Sequence, residues 1–292
     1  MISVLDEILK EARNAGAGNV HLTVDCPPVM RIGNRLERMK YPPLTASDTL
    51  DIVLYVMNEA QRELFESRKE AEVSFEAEGG ERYRITAYRQ KSSAALSVRI
   101  LKHPVPALTE LGVDEQIMAF CGQAKGLVVV TGGSGSGKST TIASMIETIN
   151  ESQQKLILTI GNPVEYRHEN NNSVIVQREA GADTESVVSA LKEALRADVD
   201  VIAVNGVRGG EAIDAVLTAV ETGHLVFVEI PAADIAGAVD RLTAEYPAGD
   251  RALLKARLSK IPFAVISQKL HYGENGDRVT PECKVLKNNL WD

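Results

Sequence analysis

Gly132-Gly-Ser-Gly-Ser-Gly-Lys-Ser139 follows the apolar run Gly126-Leu-Val-Val-Val-Thr131 and leads into Thr140-Thr-Ile-Ala-Ser-Met-Ile-Glu-Thr-Ile149. The order predicts strand, glycine-rich loop, helix, the context that a phosphate-binding loop requires. Gly132, Gly133, Gly135 and Gly137, with Ser134 and Ser136 between them, let the backbone bend so that successive N–H groups face one anion. The helix start at Thr140 adds its positive dipole end. Lys138 has the reach for β- and γ-phosphates, and the Ser139 hydroxyl suits the shell of a Mg²⁺ ion.

Outward from the loop, residues 113–292 alternate strands with helices, which predicts a mostly parallel sheet covered on both faces. Strands are expected at Leu127–Thr131, Leu156–Ile160, Val174–Gln177, Val199–Val204 and Leu225–Ile230, and a last one within Val279–Leu286. Helices are expected at Lys138–Asn150, Thr184–Arg196, Glu211–Thr222, Ile235–Glu245 and Arg251–Lys260.

Upstream, residues 1–103 read as a smaller α+β domain. Val4, Leu5, Ile8, Leu9 and Ala12 recur at helical period before Gly16 and Gly18. Val29–Ile32 and Arg35–Met39 flank Gly33-Asn34, a hairpin signal. A second helix follows Thr45 or Ser47 as cap. Val73 and Phe75, then Tyr83, Ile85 and Ala87, then Leu96, Val98 and Ile100 alternate with polar residues, predicting an antiparallel meander with one buried face. Lys102-His-Pro-Val-Pro106 ends it, and two prolines so close together predict a stiff connector over 104–112.

The totals narrow the classes. The 292 residues suffice for two domains with cores of their own. A net charge of -8, with both signs interspersed, argues against a nucleic-acid partner. Cys26, Cys121 and Cys283 lie far apart, so neither a zinc site nor a disulfide framework is expected. Met1–Leu9 is too short and acidic for a signal peptide, and no apolar run approaches the ~20 residues that span a bilayer. The expectation is a cytoplasmic protein with no direct membrane insertion, peripheral at a membrane only through a partner.

Five stretches in order resemble the type II/type IV secretion ATPase superfamily, and within it the type IV pilus retraction (twitching motility) branch. Gly18-Asn-Val-His-Leu22 is similar to the family's Ser-Asp-x-His-Leu, and Arg82-Tyr-Arg84 to its Arg-Phe-Arg strand. Gly132–Ser139 is similar to its Walker A loop, Asp198-Val-Asp-Val-Ile202 to the run before its Walker B position, and Glu221-Thr-Gly-His-Leu225 to its His-box opening. The extension branch carries a four-cysteine zinc insert that this chain lacks. The resemblance implies a RecA-like P-loop NTPase domain preceded by a PAS-like domain, with ATP and Mg²⁺ as ligands. It implies a ring: a homo-hexamer, or a mixed ring beside an active paralogue, docked on an inner-membrane pilus or secretion platform protein. Arginines of the first domain would reach the phosphates. Arg84 and Arg99 are the candidates, and the alternative is that they are solvated strand residues.

Departures from the resemblance fall at the chemistry. The family's Glu-Asp-Pro-x-Glu is Gly161-Asn-Pro-Val-Glu165 here, so Glu165 alone of its acids remains. Its Gly-Glu-x-Arg-Asp is Asn205-Gly-Val-Arg-Gly209, which puts Gly206 where a water-orienting glutamate is expected. Its Gly-Thr-Leu-His-Thr is Val228-Glu-Ile-Pro-Ala232, so a second histidine becomes Pro231 while His224 stays. The family continues beyond its last strand with a helix containing Ala-Ile-Arg, where this sequence reads Lys287-Asn-Asn-Leu-Trp-Asp292. A base or orienting group must sit within hydrogen-bond reach of the attacking water, and glycine has no side chain to offer. The expectation is ATP binding with weak or absent hydrolysis, in a regulatory or structural role. The alternative is an active hexameric motor. Glu229 either replaces a lost glutamate or faces a subunit boundary or solvent. Glu165 and Glu211 read as capping or surface carboxylates, Asp198 and Asp200 as turn residues, and His168 and His271 as solvated.

Overall fold

The computed structural model describes residues 2–270, apart from 34, 78, 102–104, 114, 163 and 247, together with the backbone of Glu282–Lys287. His271, Pro163 and the run after Lys287 lie outside the described residues. The chain divides into two compact units at residues 103 and 104.

The first unit runs α1 Ile2–Asn14, β1 Asn19–Leu22, β2 Val29–Ile32, β3 Arg35–Arg38, α2 Ala46–Val56, α3 Glu59–Arg68, β4 Glu70–Glu76, β5 Arg82–Gln90 and β6 Ser93–Ile100. Its six strands form one antiparallel sheet in the order β3-β2-β1-β6-β5-β4. The period-two pattern sets the faces: Val20, Leu22, Val73, Ile85, Ala87, Leu96 and Val98 are buried in one cluster with Leu5, Ile8 and Leu9 of α1 and Ile52 and Val53 of α2. Thr45 caps α2 through a reciprocal pair with Asp48. The polar helix α3 escapes the period reading because Phe65 is its one buried residue.

The second unit runs α4 Glu115–Cys121, β7 Gly126–Gly132, α5 Lys138–Ser152, β8 Leu156–Gly161, β9 Val174–Glu179, α6 Val187–Ala194, β10 Val201–Val204, α7 Gly210–Glu221, β11 Leu225–Pro231, α8 Ile235–Ala244, α9 Arg251–Leu258, β12 Phe263–Lys269 and β13 Glu282–Lys287. Its sheet has the order β13-β12-β7-β11-β10-β8-β9, parallel except for the β12–β13 pair. Every residue of β7 is buried, as a central strand with helices on both faces requires. Leu127 and Val129 face the cluster with α6–α9, whereas Val128 and Val130 face the one with α4 and α5. Leu108 and Leu111, within the expected connector, form a 3₁₀ turn and are buried in that second cluster.

This topology places β11 between β7 and β10. Parallel strands end on a common edge, so the segments after β7, β8, β10 and β11 converge there, the usual ligand edge of an open α/β sheet. Val130 pairs with Glu229 and Gly132 with Pro231, so β11 delivers its departures beside the loop.

Candidate functional site

The loop is built on backbone that excludes side chains. Gly132 has φ +151°, and a Cβ there would come within 2.3 Å of the Gln268 carbonyl and 2.4 Å of Ser136 Oγ. Gln268, fully buried on β12, accepts from Thr141 Oγ1 at 2.8 Å and so ties the loop's floor to α5. Gly137 is the N-cap of α5 and supplies no side-chain cap for the first-turn N–H groups, the type of helix start that can take an anion. Ser136 Oγ is buried without a hydrogen-bond partner among the described residues. Ser134 and Gly135 form the loop's exposed crest, and Thr140 at the helix start meets Tyr166 Oη at 2.7 Å.

Lys138 is buried, 6% exposed, and its Nζ donates to the Gly133 carbonyl at 2.8 Å. Its other neighbour is Glu229, with Oε1 3.6 Å away. Ser139 Oγ donates to Glu229 Oε2 at 2.8 Å. One carboxylate thus engages both residues that were read as phosphate and metal contacts. Of the readings left open for Glu229, the geometry sets aside a purely solvent-facing side chain. A cavity opens beside Ser139, lined by Glu229, Asn205, Glu165, Tyr166 and His168. Glu165 therefore belongs to the same cavity.

His168 corrects the sequence reading. Its side chain is 3% exposed, not solvated, and Nδ1 lies 2.6 Å from Glu147 Oε2. Burial pushes its pKa below the ordinary histidine value, against the upward pull of Glu147. Sequence reading missed this pair because His168 follows an irregular stretch and Glu147 lies a turn before the end of α5.

Other candidates lie elsewhere. Asp198 adopts φ +53°, as a turn residue does. Asp200 accepts from the Leu156 N–H at 2.9 Å and from Lys155 at 3.1 Å, at the opposite edge of the sheet from the loop. Burial alone would raise its pKa, yet those two donors hold it below the usual carboxylate range. His224 precedes β11 on that same distant edge and contacts the Ala219 carbonyl at 2.8 Å. Glu211 pairs with Lys192 at 2.6 Å near the start of α7. In the first unit Arg84 and Arg99 are direct register partners on β5 and β6, continued by Asn19 and Arg31 across β1 and β2. Arg84 also pairs with Glu72. Guanidinium groups side by side on one face raise each other's energy unless an anion is near.

The strand order and the loop define a P-loop nucleotide-binding domain of RecA-like fold. The chain belongs to the family described as type II/IV secretion system protein, which it matches over residues 1–285. It is 37% identical over 275 residues to the type IV pilus retraction ATPase PilT of Pseudomonas aeruginosa, covering 94% of this chain and 80% of that one. It is 38% identical over 264 residues to a twitching motility protein of Neisseria gonorrhoeae, covering 90% and 71%. Among solved structures, that of the pilus retraction motor PilT with bound ADP superposes with a TM-score of 0.87 at 38% identity, covering 97% of this chain and 82% of that one.

Proposed function

We propose that this chain is an ATP-binding member of the pilus-retraction branch that cleaves ATP weakly or not at all and acts in a regulatory or structural role in a type IV pilus or related secretion machine. One observation carries this reading. The phosphate loop is complete around Lys138, while the neighbouring strand tips carry Gly161, Asn162 and Gly206 where the resemblance calls for acids. Binding rests on loop N–H groups, Lys138 and Ser139. Cleavage rests on positioning the attacking water, and loss of one positioned base typically costs roughly 10²–10⁴ in rate. Parallel measurement of ATP affinity and phosphate release on the purified protein tests this. Tight binding with turnover as fast as an ordinary motor's would overturn it.

The donor set suits a divalent cation. The Ser139 hydroxyl and the Glu229 carboxylate are adjacent hard oxygens, the ligand type that Mg²⁺ prefers. They would hold the ion, which when bound neutralises charge on the phosphates. Lys138 would orient the β- and γ-phosphates, and the first-turn N–H groups of α5 would bind the remaining oxygens.

A second reading is favoured by that same contact: an active hexameric motor in which Glu229 orients water in place of the lost acids. Glu229→Ala would then abolish phosphate release, and an unchanged rate would dismiss the assignment. In either reading the assembly is a ring, of this chain alone or mixed with an active paralogue. Its surroundings would be the cytoplasmic face of an inner-membrane platform. Arg84 and Arg99 would contribute charge toward phosphates bound by a neighbouring subunit. Co-purification from the native cell distinguishes the two kinds of ring.

A further inference from the structure

Glu229 is set where a triphosphate expects only positive charge. Its two carboxylate oxygens take the Ser139 hydroxyl at 2.8 Å and approach the Lys138 ammonium to 3.6 Å. Lys138 is 6% and Glu229 20% exposed at the side chain, so water screens this pair poorly. The strand register holds the carboxylate there, because Glu229 pairs with Val130, two residues before Gly132. Tertiary structure has therefore given the cradle a resident anion.

We infer that Glu229 competes with metal-free triphosphate for Lys138 and Ser139, so that nucleotide enters this site as its magnesium complex. This deepens the nucleotide-binding reading and rests on it. Without a cation, the γ-phosphate must approach Lys138 against a carboxylate that already neutralises it. With a divalent cation, the same carboxylate changes from competitor to partner, since it faces positive charge beside Ser139. Cation and nucleotide then strengthen each other's binding by one common factor, as linkage requires. The result is a cradle that discriminates metal-bound from metal-free nucleotide through one side chain on a strand next to the loop.

The test is equilibrium binding of a fluorescent, non-hydrolysable ATP analogue to the full chain, in magnesium chloride and in EDTA. Wild type, Glu229→Gln and Glu229→Thr are compared, with Lys138→Ala as the control for loop binding. Far-ultraviolet circular dichroism and a thermal melt establish that each variant is folded, and two substitutions guard against one failing to fold. The expected result is that both Glu229 variants bind in EDTA at least about 5-fold tighter than wild type, the low end of ordinary coupling factors. The ratio of affinities with and without magnesium then contracts accordingly. Unchanged or weaker binding of both variants in EDTA overturns the inference. If wild type binds in neither buffer, the nucleotide-binding reading itself falls. If wild type binds and the variants match it, only the role of Glu229 does.

Discussion

The Asn162 backbone N–H donates to Asn205 Oδ1 at 2.8 Å, joining the segments that follow β8 and β10. Both segments end on the edge that carries the phosphate loop, and their tips bear Gly161, Asn162 and Gly206 where the resemblance calls for carboxylates. The bond is neutral. It ties the two tips together without a carboxylate in the contact.

Gly206 is the place to restore one. Its Cβ would meet nothing closer than Asn162 Cβ at 3.9 Å, so space exists for Glu. Its φ of +75° is costly for an L side chain, roughly 1–2 kcal/mol. Gly206→Glu is expected to lower thermal stability modestly and to raise single-turnover ATP cleavage by about 10², the low end for one positioned base. Cleavage at the wild-type rate would mean that the tip of β10 is not what limits the chemistry.

Gly132 and Gly133 separate conformational need from composition. A methyl on Gly132 collides with Gln268 and Ser136 at a φ that side chains avoid, whereas one on Gly133 meets nothing within 4 Å. Gly132→Ala should lose about 1–3 kcal/mol of stability and distort the loop. Gly133→Ala should leave stability near wild type. Chemical unfolding of the two variants side by side decides it.

His168 makes stability depend on pH. Its folded pKa lies below the unfolded value of about 6.5. The unfolded chain therefore takes the proton first as pH falls, and stability declines below about pH 6.5, by at most about 1.4 kcal/mol per pH unit for one group. Above that range the term vanishes, because both states are neutral. His21 in the first unit, depressed by burial and then by Arg31, contributes in the same direction. His168→Asn should flatten the acid limb of the melting-temperature profile of the second unit. An identical limb would argue that the histidine is protonated in the fold.

Cys121 lies buried against α5, and burial pushes its thiol up to about 12. A thiol-disulfide reagent at neutral pH should leave Cys121 unmodified until the protein unfolds, as mass spectrometry of tryptic peptides would read directly. Prompt labelling would mean that α4 opens readily.

Much of this site was legible from spacing alone. The loop needs glycines at fixed intervals between a β-branched run and a helix, and those constraints act within about twenty residues of chain. The strands with strong alternation emerged likewise, since one buried face forces a period of two. Other elements stayed hidden for stated reasons. Helix α3 buries a single residue, so it carries no apolar stripe. Strand β12 offers only four apolar residues in a row, Phe263–Ile266, before Ser267, Gln268 and Lys269, too short a run for periodicity to separate strand from helix. His168 reads as a solvated polar residue until the chain folds over it.

The sequence by itself determined the family, the order of strands and helices, the phosphate loop with Lys138 and Ser139, and the acids missing from Gly161, Gly206 and their neighbours. Those are properties of nearby residues and of composition at matched positions. Only the tertiary structure decided what Glu229 does. It reaches Ser139 across 90 residues of chain because β11 inserts between β7 and β10 and pairs in one register with β7. Strand order is a global outcome of covering both sheet faces, and no local pattern encodes it. A shift of one residue would have turned that carboxylate away from Lys138 altogether.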